Sequence, residues 1–367
     1  MKRFTALALI VIMLLTVPGC KTGENPVEKN PGGEDDRIQI AMSFDSFVIE
    51  RWQRDRDVFV STAKELGATV NVQNANGDVE KQKEQIEYFI KKGVDVIVIV
   101  CIDSDSLKST VQKAKDEGIK IIAYDRLVTN SNADLYITFD NEMVGTMMAE
   151  ALAANDAAGG KVLMLEGSPL DNNVPAVEKG FKAVCETENM QVADSIFCDG
   201  WRAEIAGDYI YEHEDIVKSV DGIMCGNDNL AGQVIRALSE KRLAGDIPVV
   251  GQDADLEACQ RIVEGTQTMT VYKPVEKLAK RAAECAIALA RGESFYAEDV
   301  STINDGTYDI RYIGLTPIAV TIENLDEVII GSGFHLKEDV YLNVPGASEN
   351  EGAGEGTENG PENGPEE

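Results

Sequence analysis

Short planar polar side chains recur in this chain wherever an apolar run ends. Phe44 closes "IQIAMSF", and Asp45, Arg51 and Trp52 follow it closely; Asp125 and Arg126 follow "KIIAY". Asp171, Asn172 and Asn173 lie in "GSPLDNN", Trp201 in "CDGW" and Asn227 in "CGNDN". Gln252 and Asp253 follow "IPVVG", and Lys273 follows "TMTVY". Asp, Asn and Arg can each make two hydrogen bonds from one planar group, and Trp or Phe offers a flat apolar face. A pyranose needs that mixture, because neighbouring hydroxyls take bidentate bonds and the C–H faces of the ring stack on an aromatic. Phosphate recognition would call instead for a glycine-rich loop. Neither GxGxxG nor GxxxxGK with a following Ser or Thr comes after any of these runs.

Each residue also has a plainer use. Trp52 falls on the apolar stripe of its helix and suits core packing, while Arg51 and Arg126 suit surface charges. Asp140 and Asp228 precede helices and read as caps, Asp228 above all. Asp255 fits a first helical turn, where the dipole favours an acid. Asp103 and Asp105 read as caps of the next helix, since "CIDSDS" lacks the spacing and distal Glu of a calcium loop. Two histidines give little material for a metal site or a His-dependent triad. No metal, cofactor or catalytic residue is therefore assigned. The enzymatic rival is a glycosidase with Asp125 and Asp253 as paired carboxylates. Arg126 beside Asp125 argues against it, because a neighbouring cation keeps a carboxyl ionised and makes it a poor general acid.

Positioning these residues requires regular elements that end at the same edge. From residue 37 onward strand and helix patterns alternate: "RIQIAMSF", "ATVNVQ", "VDVIVIVC", "IKIIAY" and "DLYITFD" read as strands, with helices between most of them. The helix at 50–66 places Trp52, Phe59, Ala63 and Leu66 on one stripe. The alternation restarts with "KVLMLEG", "MQVADSIF", "GIMCG", "IPVVG" and "TMTVY", with helices near 174–188, 203–214, 228–241 and 254–264. A helix near 274–291 and strands near 308–322 complete it. Near-continuous Val/Ile runs suit parallel sheets covered on both faces. The expectation is an α/β protein of two doubly wound parallel-sheet units, with ligands beyond the carboxyl ends of the strands.

Composition narrows the partners. The chain has 367 residues and a net charge of −30, which argues against nucleic acid. The stretch 346–367 carries seven Glu and no Lys or Arg, leaving about −23 elsewhere, and reads as a disordered acidic tail. At the other end Lys2 and Arg3 precede "FTALALIVIMLL", then "TVPGC". That run is short for a bilayer span and reads as an export leader over 1–20. Its end at Cys20 resembles a bacterial lipobox, with Pro18 a departure from the usual small residue. Residues 21–36 then read as a Gly/Pro-rich tether. The other six cysteines form no CxxC pair, and several fall in apolar segments.

The motifs "ERWQRDRDVF", "QNANGD", "AYDRL", "ITFDNEMVG", "GSPLDNN", "DGW", "GNDNLAGQVIRALS", "GQDAD", "GTQTMTVYKP" and "GFH" together resemble the type 1 periplasmic binding proteins. These are sugar receptors of ABC importers, and the resemblance, over about 37–336, is strongest to their D-xylose-binding branch. It implies two lobes joined by a three-strand hinge, closing on a monosaccharide. The first lobe would take 37–139 plus about 274–310, and the second 140–270 plus about 315–340. Carried over motif by motif, the sugar contacts would be Arg51, Trp52, Asp125 and Arg126 from the first lobe. Asp171, Asn173, Trp201, Asn227 and Asp253 would come from the second, with Lys273 at a crossover. Phe44, aromatic where the xylose branch has an aliphatic residue, is a further stacking candidate and widens the range to glucose or a mixed pentose/hexose set. The implied partners are the sugar and an ABC permease, or alternatively a sensor kinase. The receptor would be a monomer on the extracytoplasmic face of the cell membrane, held by a lipid on Cys20.

Overall fold

The computed structural model describes residues 37–294 and 299–344; the leader, Cys20, the tether and the acidic tail lie outside them. The first half reads β1 (Gln39–Phe44), α1 (Arg51–Glu65), β2 (Thr69–Asn74), α2 (Val79–Lys92), β3 (Val96–Ile99), α3 (Lys108–Asp116), β4 (Lys120–Tyr124) and β5 (Leu135–Phe139). The second half reads α4 (Asn141–Leu152), β6 (Lys161–Glu166), α5 (Asn173–Thr187), β7 (Gln191–Phe197), α6 (Ala203–Glu212), α7 (Glu214–Val217), β8 (Gly222–Cys225), α8 (Asp228–Glu240), β9 (Val249–Gln252), α9 (Leu256–Val263) and β10 (Met269–Tyr272). The chain closes with α10 (Val275–Arg291), β11 (Ser301–Asn304), β12 (Asp309–Leu315), β13 (Ile318–Val320) and α11 (Lys337–Val340).

Two sheets result. One has the order β11-β12-β5-β4-β3-β1-β2 and the other β13-β10-β9-β8-β6-β7. All pairings are parallel except the β11/β12 hairpin and the β10/β13 edge. The Val/Ile runs account for this: β3 and β5 are buried at every position, as a strand covered on both faces must be. Helix ends carry ordinary local signals. The Asp78 side chain accepts from the Lys81 amide to start α2, and Gly93 ends it in a left-handed conformation at φ 67°. On α1, Trp52, Phe59 and Ala63 are buried as the stripe predicts, but Leu66 is the C-cap and stays exposed.

The chain passes between the sheets three times: at Asp140, at Lys273–Pro274, and at Thr316–Pro317. β12 pairs with β5, so the last passage follows Leu315. Two of these passages lie side by side, the Asp140 amide donating to the Leu315 carbonyl at 2.9 Å. β11 has no apolar alternation of its own; its strand character comes from the hairpin with β12. Two expected caps differ. Asp140 does cap α4, accepting from the Met143 amide at 2.9 Å. For α8, however, the cap is Asn227 rather than Asp228. Asp103 accepts from the Asp105 amide inside the loop, and α3 begins later, at Lys108.

Candidate functional site

The carboxyl ends of both sheets face one cleft, with about 470 Å³ of space not filled by atoms. Arg51, Trp52, Asp125, Arg126, Asp171, Asn173, Trp201, Asp253 and Lys273 all line it. Sheet order explains how residues distant in sequence meet. Arg126 follows β4, Cys101 follows β3 and Asp45 follows β1, and these three strands are neighbours. One Arg126 Nη therefore donates to Asp45 Oδ2 at 2.8 Å and to the Cys101 carbonyl at 3.0 Å. Its Nε lies 2.6 Å from Asp171 Oδ2, which belongs to the other lobe.

Arg51 sits on the first turn of α1 and is only 4 % exposed. It holds Asp55 one turn along at 3.2 Å, Asp125 at 2.8 Å, and Asp253 of the second lobe at 3.7 Å. Lys273, at a passage between lobes, lies 3.4 Å from the same Asp253 oxygen. Asn173 donates to the Asp125 carbonyl and to its carboxylate, each at 3.1 Å, and Trp201 Nε1 donates to Asp171 at 3.2 Å. The site is a lattice of alternating charges spanning both lobes.

Electrostatics sort the acids. Burial pushes the Asp125 carboxyl up, but Arg51, then Lys273 and Arg126, outweigh it and hold it below the usual carboxylate range. Asp125 thus stays ionised, as its sequence neighbour Arg126 suggests, yet Arg51 is the main cation responsible. Burial wins at Asp45, Asp55 and Asp171, whose carboxyls are raised despite their arginine partners. Among the described residues no group of His, Cys, Asp or Glu is arranged to hold a metal ion.

Three site residues occupy left-handed backbone: Asp125 at φ 61°, Trp201 at φ 58° and Asp253 at φ 98°. Such conformations cost about 1–3 kcal/mol each and persist where the surroundings enforce them, commonly at functional sites. Several buried polar atoms there also lack a hydrogen-bond partner: Trp52 Nε1, Arg126 Nε, Gln252 Oε1, Asp253 Oδ1 and Glu166 Oε2. Each such atom costs about 1–3 kcal/mol when left unsatisfied. Their concentration around one cleft suits a polyhydroxylated molecule that both donates and accepts.

Two candidates are placed elsewhere. The Asn227 side chain accepts from the Leu230 amide at 2.9 Å, capping α8, and does not line the cleft. Phe44 is fully buried behind Trp52, with ring centroids 6.3 Å apart, so it supports the wall rather than forming it. Trp52 does both jobs proposed for it: it packs into the core, lines the cleft, and carries the Arg51 guanidinium 4.5 Å over its ring. Asp55 and Glu166 were missed. Asp55 stands four residues after Arg51, a spacing that pairs charges on a helix. Glu166 carries a fainter signal, an acid closing the apolar strand "KVLML".

Comparison with known proteins gives concordant results. A periplasmic binding protein domain matches residues 40–294. The D-xylose-binding periplasmic protein of Haemophilus influenzae is 42% identical over 309 residues, covering 83% of this chain and 92% of that protein. The protein of the same name from Escherichia coli is 41% identical over the same shares. Among solved structures, an ABC transporter solute-binding protein from Clostridium phytofermentans with bound β-D-glucose superimposes with a TM-score of 0.74 at 26% identity, covering 82% of this chain and 99% of that one.

Proposed function

The chain belongs to the periplasmic binding protein family, and from that premise we propose that it is an extracytoplasmic receptor for a monosaccharide, D-xylose first, that serves an ABC permease. The observation that carries this reading is the composition of the cleft. Buried Asp, Asn and Arg from both lobes converge with two tryptophans on a space sized for a small ligand. Members of the family are binding proteins of transport systems and not enzymes. The lowered Asp125 carboxyl fits a group that holds a ligand rather than protonating it. The choice of D-xylose rests on the two relatives named for it. A wider pentose/hexose range, with D-glucose foremost, is the second reading, favoured by the likeness to a glucose-bound receptor.

Because both lobes supply contacts, sugar stabilises the closed arrangement over the open one and shifts the population toward it. A thermal-shift panel of pentoses and hexoses tests the assignment. A ligand at one hundred times its Kd adds about 2.7 kcal/mol to stability, so D-xylose should raise Tm by several degrees. A panel in which no sugar moves Tm would sink the receptor reading; a larger shift with D-glucose would favour the second one. Among the described residues no helix is long and apolar enough to cross a membrane. Membrane attachment is therefore proposed through a lipid on Cys20, on the sequence alone. Metabolic labelling with palmitate should tag the protein and fail to tag Cys20→Ala.

A further inference from the structure

The inner end of the cleft differs from the charged lattice at its centre. Its walls are Val174 and Val177 from α5 and Met224 from β8, and its polar groups are Glu166, the last residue of β6, and Gln252, the last of β9. Both are nearly excluded from solvent, Glu166 at 1 % exposed and Gln252 at 4 %. The Gln252 amide nitrogen donates to the Gly226 carbonyl. A carbonyl accepts only from the NH2 end of an amide, so this bond fixes the orientation and leaves Oε1 as an acceptor without a partner. The Ser195 hydroxyl from the adjacent strand β7 donates to Glu166 Oε1, which leaves Glu166 Oε2 without one as well. Close backbone packing holds the wall rigid. A Cβ on Gly167 would lie 2.2 Å from the Trp201 ring, and one on Gly226 would lie 2.7 Å from the Gly167 nitrogen.

We propose that Glu166 and Gln252 form an inner subsite that reads one hydroxyl of the bound sugar as a hydrogen-bond donor and rejects anionic sugars. The inference rests on the monosaccharide-receptor reading and deepens it. The cations of the cleft are engaged elsewhere: Arg51 with Asp55 and Asp125, Arg126 with Asp45 and Asp171, Lys273 with Asp253. A ligand group that reaches Glu166 and Gln252 meets two acceptor oxygens set among aliphatic walls. A hydroxyl satisfies them; a carboxylate or phosphate meets an acceptor with its own lone pairs in a poorly solvated place. The ligand class that follows is neutral aldoses, with sugar acids and sugar phosphates excluded.

The test is a titration matrix on the full protein: wild type, Glu166→Gln, Glu166→Ala and Ser195→Ala against D-xylose, its monodeoxy analogues and D-glucuronate. Wild type should bind D-xylose and leave glucuronate unbound. Glu166→Ala should weaken D-xylose at least tenfold, yet leave unchanged the affinity for the one deoxy analogue that lacks the hydroxyl in question. Glu166→Gln should narrow the gap between D-xylose and glucuronate at least tenfold. Ser195→Ala, which frees Glu166 without removing it, should weaken D-xylose by a smaller factor with the same analogue pattern. Equal losses for D-xylose and every deoxy analogue would mark a structural role and overturn the subsite. Wild type that binds no sugar at all would overturn the receptor reading itself. Should Glu166→Ala not fold, the Gln and Ser195 variants decide by the same criteria.

Discussion

Arg126 is the residue on which most of the first lobe's cleft surface depends. Its guanidinium bridges Asp45, the Cys101 carbonyl and Asp171 while nearly excluded from water. A planar fork can serve those three directions, and an ammonium cannot. Arg126→Lys is therefore expected to weaken sugar binding by about 2 kcal/mol or more by isothermal titration, although the charge is kept. An affinity within a factor of two of wild type would show that charge alone suffices. At this scale the sequence was informative about residue types and poor about partners. Asp125 and Arg126 are adjacent in the chain, yet they pair in different directions, Asp125 with Arg51 and Arg126 with Asp45 and Asp171. The reversal of direction at Asp125, with its φ of 61°, is a backbone property that neighbouring letters do not announce.

At the scale of elements, two features invite tests. Helices α4 and α5 touch backbone to backbone: a Cβ on Gly145 would lie 1.9 Å from the Val177 carbonyl oxygen, and one on Gly180 would lie 1.9 Å from that of Glu142. Gly180→Ala is expected to cost about 3 kcal/mol by denaturant unfolding, the upper range for overpacking. Sugar affinity should fall with it, because α5 carries Asn173 and Val174 into the cleft. The start of α8 holds the second feature. Asp228 is buried, accepting from Gln267 at 2.8 Å and from Thr270 at 2.6 Å, and burial pushes its carboxyl up to about 7. The unfolded carboxyl titrates near 3.8, so the folded chain keeps this proton longer. Stability from this group is thus present at low pH and lost as pH rises through about 7. Asp228→Asn should leave Tm unchanged near pH 4 and raise stability at pH 8 by on the order of 1 kcal/mol or more. A Tm gain that is the same at both pH values would contradict the buried titration.

For the whole molecule, the question is what holds the lobes together. Beside the cleft, Arg54 of α1 donates to the Phe334 carbonyl at 2.6 Å and lies 4.2 Å over its ring. Phe334 packs in the same apolar cluster as α9 residues Cys259 and Ile262, so this contact joins the two lobes outside the ligand site. Removing it favours the open arrangement without touching a ligand contact. Arg54→Ala is expected to weaken sugar binding by about 1 kcal/mol. It should also enlarge the radius of gyration measured by X-ray scattering without sugar, with saturating D-xylose restoring the wild-type value. Identical scattering for both proteins would rule out a latch.

The amino-acid sequence by itself determined the α/β class, the strand ends at which chemistry collects, and the residue types suited to a neutral polyhydroxylated ligand. These follow from local periodicity and from the rule that parallel strands deliver their carboxyl ends to one edge. Only the tertiary structure decided which carboxylate each arginine serves, that Asn227 spends its side chain on a helix cap, and that Phe44 stands behind Trp52. It also revealed Glu166, an acid whose burial comes from α5 and β7 folding over it. The reason is the same in each case. Partner choice and burial depend on strand order and helix approach, which bring together residues up to about two hundred positions apart, such as Arg51 and Asp253.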